Sequence, residues 1–252
     1  MEYLLNVFYQ SFNKSLIYIV IFFSLTASLS AAVQLEVTNK GNKETIWSDG
    51  ENLHIQAEGE LGYLLLNPVK RQLFTINPSQ KQIVNLSGKI KQSPKIPKMN
   101  DTIIDVVEHG AGPKMRGYET MLYLLKVNGE ICRSEYLAKS VEELTNVIAG
   151  LELMTEYKII TTFGSLPAQL DLCFVAEHMS YKRFSKHGFP VKSNDQYEKT
   201  EFEMISINKF AKNPPNDFKL PEGFTVISYE DAMASTGMPP MVGTGHEMHP
   251  PQ

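Results

Sequence analysis

Apolar and polar positions follow three different rhythms along this chain. Residues 16–29 are a largely apolar run without a charge. From Val33 to about Ser87 the rhythm is alternation in short bursts. Gln34-Leu35-Glu36-Val37-Thr38 and Leu53-His54-Ile55-Gln56-Ala57 alternate polar with apolar, the period of a strand with one buried face. Turn signals separate the bursts: Asn39-Lys40-Gly41-Asn42, Ser48-Asp49-Gly50, Asn67-Pro68 and Asn77-Pro78-Ser79. The pattern predicts an antiparallel meander. Residues 87–99, with Lys89, Lys91, Lys95, Lys98, Pro94 and Pro97, predict an exposed loop.

Asn128-Gly129 is a second strong turn signal, because both residues tolerate the positive φ of a type I′ hairpin. In that register Leu125 faces Cys132, Tyr123 faces Ser134 and Met121 faces Tyr136. Met121, Tyr123, Leu125, Cys132 and Tyr136 then share the inward face, with Lys126, Arg133 and Glu135 on the other.

The third rhythm is helical. Ser140 and Glu143 form an S-x-x-E capping box, and Val141, Leu144, Val147, Ile148 and Leu151 follow at helical spacing. A second helix is predicted over residues 168–187. Pro167 suits its start, and Gly188 and Pro190 stop it. A long strand is expected over about 199–212, and residues 214–224 close the domain.

The opening apolar run ends in Ser30-Ala31-Ala32, small residues before Val33, the layout of a secretory signal peptide. The expected organisation is residues 1–32 as signal peptide, 33–230 as one domain, and 231–252 as an unstructured Met/His-containing tail. That predicts a periplasmic or secreted protein with no membrane span after signal removal. The net charge of −4 supplies no basic stripe, which argues against nucleic acid as a partner. The oligomeric state is not legible.

Two cysteines in an exported chain suggest one disulfide, Cys132–Cys173, joining the hairpin to the second helix. The alternatives are two buried free thiols or a metal pair. Two thiols without a nearby histidine make a poor zinc site.

Gly117-Tyr118-Glu119-Thr120, Tyr123, Asn128-Gly129-Glu130 and Cys132 resemble the central hairpin of a group of exported bacterial proteins of unknown function. Lys186-His187-Gly188-Phe189-Pro190-Val191 is similar to their small-Gly-aromatic-Pro turn, and Phe218-Lys219-Leu220-Pro221-Glu222-Gly223-Phe224 to their closing element. These proteins in turn resemble the periplasmic lipoprotein carriers, the LolA/LolB-like superfamily. The resemblance implies an α+β fold. A strongly curved antiparallel sheet forms an unclosed barrel, with helices packed on its concave side. It also implies an apolar cavity and a lipid or lipidated protein as partner. It brings no catalytic residues and no cofactor.

Candidate chemistry is sparse. Glu108-His109 reads as a loop pair. Glu177, His178 and His187 read as surface and capping side chains, and Ser165 as a cap or turn outside any G-x-S-x-G motif. No phosphate-binding loop, zincin or dinucleotide motif is present, so the chain is read as non-enzymatic. Met238, Met241, His246, Met248 and His249 carry thioethers and imidazoles suited to Cu(I). The plainer reading is an ordinary unstructured end. Four classes stay open: a binder of an apolar ligand or lipid-bearing partner, a structural or interaction protein without ligand, an exported metal-handling protein using its tail, and, least favoured, a hydrolase.

Overall fold

A computed structural model describes residues 32–90, 102–139, 141–163, 171–214 and 216–236. The predicted signal peptide lies outside these residues except for its last, Ala32, which opens the first strand. Among them, no helix is long and apolar enough to cross a membrane.

Two meanders fuse into one twelve-stranded sheet. The first is β1 (Ala32–Asn39), β2 (Asn42–Ser48), β3 (Leu53–Ala57), β4 (Tyr63–Asn67), β5 (Gln72–Asn77) and β6 (Gln82–Asn85). The second is β7 (Ile104–Ala111), β8 (Thr120–Val127), β9 (Glu130–Ala138), β10 (Phe189–Asp195) and β11 (Thr200–Ala211). β1 pairs with β11, and β12 (Thr225–Ser228) adds to β6 in the one parallel pairing of the described sheet. The order is β12-β6-β5-β4-β3-β2-β1-β11-β10-β9-β8-β7, open at β12 and β7. The class is α+β, as expected, and the sheet is not a closed barrel.

The turns form for the predicted reasons. Lys40-Gly41 and Asn128-Gly129 make two-residue hairpins with φ of 51° and 84°, and of 52° and 89°. The two Asn-Pro turns repeat one design. Asn67 Oδ1 accepts the Lys70 N–H at 2.8 Å and Asn77 Oδ1 accepts the Gln80 N–H at 3.2 Å.

The helices are α1 (Ser87–Ile90), α2 (Thr145–Phe163), α3 (Leu172–Met179), α4 (Arg183–His187) and α5 (Tyr229–Thr236). A 3-10 turn, Glu142–Leu144, leads into α2. The predicted apolar stripe is real: Val141, Leu144, Val147 and Ile148 are buried against Leu35, Ile46, Leu53 and Leu66 of the first meander. Gly150 allows this approach, since a Cβ there would sit 2.9 Å from Leu53 Cδ1. The opposite face of the same strands carries Tyr63, Leu65, Ile76 and Ile83, with Trp47 and Phe74 packed against them. Phe218 and Phe224 cover it.

Three expectations need correction. The hairpin register slips at a β-bulge on β9, where Cys132 is the extra residue. Leu125 therefore faces Arg133, Tyr123 faces Glu135 and Met121 faces Leu137. Arg133 and Glu135 are turned inward and buried, opposite to the predicted face. The second helix is broken into α3 and α4, because the chain turns at Ser180 and Tyr181. Asp171 caps α3 by accepting the Cys173 N–H at 2.9 Å; Pro167, at the predicted start, lies outside the described residues. Ser140 of the predicted capping box lies outside the described residues; the Glu143 carboxylate accepts from the Tyr118 hydroxyl at 2.9 Å and pairs with Lys209 at 2.5 Å. The tail begins later than predicted: α5 reaches Thr236 and buries Ala232.

Candidate functional site

The strongest candidate is a groove of about 740 Å³ on the helix-covered face, between α2, α4, the strands β7 and β8, and the chain just after β9. Val141, Ile148, Ala149 and Phe184 provide its apolar surface. Glu108, Lys139, Glu142, Glu152, Lys186 and His187 provide its polar rim, with Tyr123 between the two sets.

Gly188 sets the α4 wall. Its amide donates to Phe184 O at 2.9 Å, and its φ is 127°. A Cβ there would lie 2.2 Å from Ala138 O, so only glycine lets the chain leave α4 and enter β10 beside β9. The predicted stop at Gly188 is thus correct and also positions the groove. Glu152 Oε1 accepts the Ser185 N–H at 3.0 Å and ties α2 to α4.

Four rim side chains form one cluster. The Tyr123 hydroxyl donates to Glu108 Oε2 at 2.7 Å, and Lys139 Nζ reaches the same oxygen at 3.3 Å. The His187 ring lies against Tyr123, with centroids 4.6 Å apart. The Tyr123 and Lys139 hydrogen bonds hold the Glu108 carboxyl below its ordinary pKa. Burial, then the Glu108 carboxylate, raises Tyr123. Burial, with Lys186 nearby, lowers His187. Glu108 and His109 are therefore not a loop pair. Both lie on β7, at a bulge between Glu108 and Gly110.

Beside the groove the sheet–helix interface is filled by charge. Arg133 on β9 bonds Glu177 of α3 through Nη2 at 2.6 Å and Nε at 3.0 Å, and pairs with Glu201 of β11. Glu201 is itself the extra residue of a second bulge, between Ser193 and Asn194 pairings. Arg183 of α4 binds Glu135 bidentately at 2.7 and 2.6 Å, and both side chains are buried. Burial opposes the charge on Arg133, but Glu177, Glu135 and Glu201 outweigh it and raise its pKa. The Cys132–Cys173 disulfide lies next to this network, with Cα atoms 5.1 Å apart. The predicted pairing is present, and it joins the hairpin to α3 as expected.

Glu177 and His178 are thus not surface side chains: one belongs to the ion network, and His178 is buried, its Nδ1 2.7 Å from Phe174 O. Sequence reasoning missed the network entirely. Ser165 and the tail positions Met238, Met241, His246, Met248 and His249 lie outside the described residues. Among the described residues no group of three or more His, Cys, Asp and Glu is arranged to hold a metal ion.

No family model matches the chain, and no curated protein matches it. Solved structures are similar to it at a distance. An uncharacterized conserved protein from Thermus thermophilus is 8% identical, with a TM-score of 0.39, over 79% of this chain and 91% of that one. The structure of MucB is 10% identical, with a TM-score of 0.34, over 78% of this chain and 60% of that one. The Pseudomonas aeruginosa MucA/MucB complex gives 11% identity and a TM-score of 0.35, over 78% and 58%. The match thus spans about three fifths of those MucB chains.

Proposed function

We propose that this chain is a non-enzymatic extracytoplasmic binding protein. It takes an amphipathic ligand, an acyl chain or a lipid-bearing partner, in the groove between α2, α4 and β8. The observation that carries this reading is the groove itself. Its volume of about 740 Å³ falls in the range of small-molecule sites, roughly 300–1,000 Å³. Its apolar floor, Val141, Ile148, Ala149 and Phe184, suits a hydrocarbon chain. Its ionic rim suits a polar head. Glu108, Tyr123 and Lys139 satisfy one another, which supports polar contact rather than base or nucleophile chemistry. The Cys132–Cys173 bridge and the leader pattern support an oxidising compartment.

A dansylated long-chain fatty acid tests this on protein purified without detergent. Saturable binding is expected, and Ala149→Trp, which fills the floor, should weaken it roughly tenfold or more. No saturable binding, or equal binding by Ala149→Trp, would refute the reading.

A second reading, a structural or interaction protein without ligand, has its own support. Away from the groove the sheet–helix interface is filled, by apolar side chains over the first meander and by ion pairs over the second.

A further inference from the structure

The face of the first meander turned away from α2 holds a histidine that the groove does not use. His54 on β3 is 1% exposed, and neither ring nitrogen has a hydrogen-bond partner among the described residues. Buried polar groups are nearly always satisfied, so an orphaned imidazole calls for a reason. Its ring is stacked on Tyr63, with centroids 4.2 Å apart and planes within 8°. Trp47 meets it edge-on at 5.2 Å.

Residues 216–224 close this face. Phe218 is buried among Tyr63, Leu65, Ile76 and Ile83, and Asn216 Nδ2 donates to the Tyr63 hydroxyl at 2.8 Å. The segment is held in a disfavoured backbone. Asn216, Asp217 and Phe218 have consecutive φ values of 72°, 45° and 58°, a left-handed run that residues bearing a Cβ rarely adopt. A segment under strain, pinned by two aromatic rings, Phe218 and Phe224, and one amide, is poised to leave.

We propose that residues 216–224 are an acid-sensitive strap: protonation of His54 releases it and uncovers the Trp47–His54–Tyr63 face. A charged imidazole in this site has no hydrogen-bond acceptor of normal geometry and is kept from solvent, and the strap is one of the segments that close this face. Burial already lowers the His54 pKa to about 4. The Gln56 side chain acts the other way, without a hydrogen bond of normal geometry to the ring. The side chains around it are Trp47 from β2, Leu65 and Tyr63 from β4, Gln56 on its own strand and Gln34 of β1 beyond Trp47. Tyr63 is itself titratable, and burial raises its pKa. The strap's ionisable residues, Asp217, Lys219 and Glu222, are exposed. No charged group contributes to the His54 shift. The neutral ring therefore accompanies the closed strap at neutral pH, and closure is lost as pH falls toward about 4.

Trp47 is the only tryptophan of the chain and touches His54, so its fluorescence reads the site directly. Trp47 emission and acrylamide quenching are followed from neutral pH to pH about 3, with far-UV circular dichroism alongside. Quenching should rise with a midpoint near pH 4 while secondary structure persists. His54→Phe and His54→Gln should abolish that transition. Asn216→Ala leaves the ring intact and weakens only the strap. It should raise the midpoint by about half to one pH unit, the size of one lost hydrogen bond. The proposal is overturned if the His54 variants keep the transition, if Asn216→Ala does not move it, or if circular dichroism collapses at the same pH.

Discussion

The two meanders share one helix-covered face but are held in different ways. Over the first, the 19-residue α2 lays a full apolar stripe on Leu35, Ile46, Leu53 and Leu66. Each such buried side chain contributes roughly 2–3 kcal/mol through the hydrophobic effect. Over the second, α3 has 8 residues and α4 has 5. Helices this short have little stability of their own and little apolar surface to bury. A disulfide and two buried arginine–carboxylate sets hold them instead. Short elements can thus be fixed by a few strong links, and they leave the unfilled groove at their edge.

The contrast can be broken most severely at Arg183. Arg183→Met strands Glu135 in a site where it is 1% exposed, and should destabilise the fold by about 3–5 kcal/mol in urea denaturation. Adding Glu135→Leu should restore most of that loss, because both charges are then gone. Reduction of the disulfide, or the double change Cys132→Ser and Cys173→Ser, should remove about 3–4 kcal/mol. Hydrogen exchange should then accelerate in β8, β9 and α3, with β2 to β5 unchanged. Uniform acceleration would erase the distinction between the halves.

Leu53→Ala probes the apolar half and should lower stability by about 3 kcal/mol, independently of reductant. The pH dependence has a defined sign. His54 has a folded pKa of about 4 against 6.5 for the free side chain. Its contribution is fully present above pH 6.5 and is lost as pH falls through the window down to about 4. The total is up to about 3 kcal/mol, and His54→Phe should flatten that part of the curve. The smallest effect belongs to Lys43→Ala. Its ion pair with Glu58 is exposed on both sides, so a change of at most about 0.5 kcal/mol is expected.

Much of the first half was legible because strands such as β1 and β3 announce themselves by alternation, and its turns by Lys-Gly, Asp-Gly or Asn-Pro chemistry. The stripe of α2 and the stop at Gly188 were legible for the same reason. The ion network was not. It depends on bulges at Cys132 and Glu201, each of which inserts one residue and reverses the face of the residues after it. Nothing in the side-chain pattern marks such an insertion, so Arg133 and Glu135 read as solvent-facing. The groove was illegible for another reason. Glu108, Tyr123, Lys139, Glu152 and His187 come from separate elements and meet only through the sheet order. The break at Ser180 and Tyr181 hid inside an apolar and basic run that otherwise suits one continuous helix.

The central claim is that the less apolar half of the helix-covered face holds the ligand site. Hydrogen exchange of the intact protein, with and without a saturating single-chain fatty acid, tests it most directly. The expected result is new protection at residues 141–149 and 184–188, the α2 and α4 walls, with β2 to β5 unchanged. Protection spread over β2 to β5, or none at either wall, would contradict it.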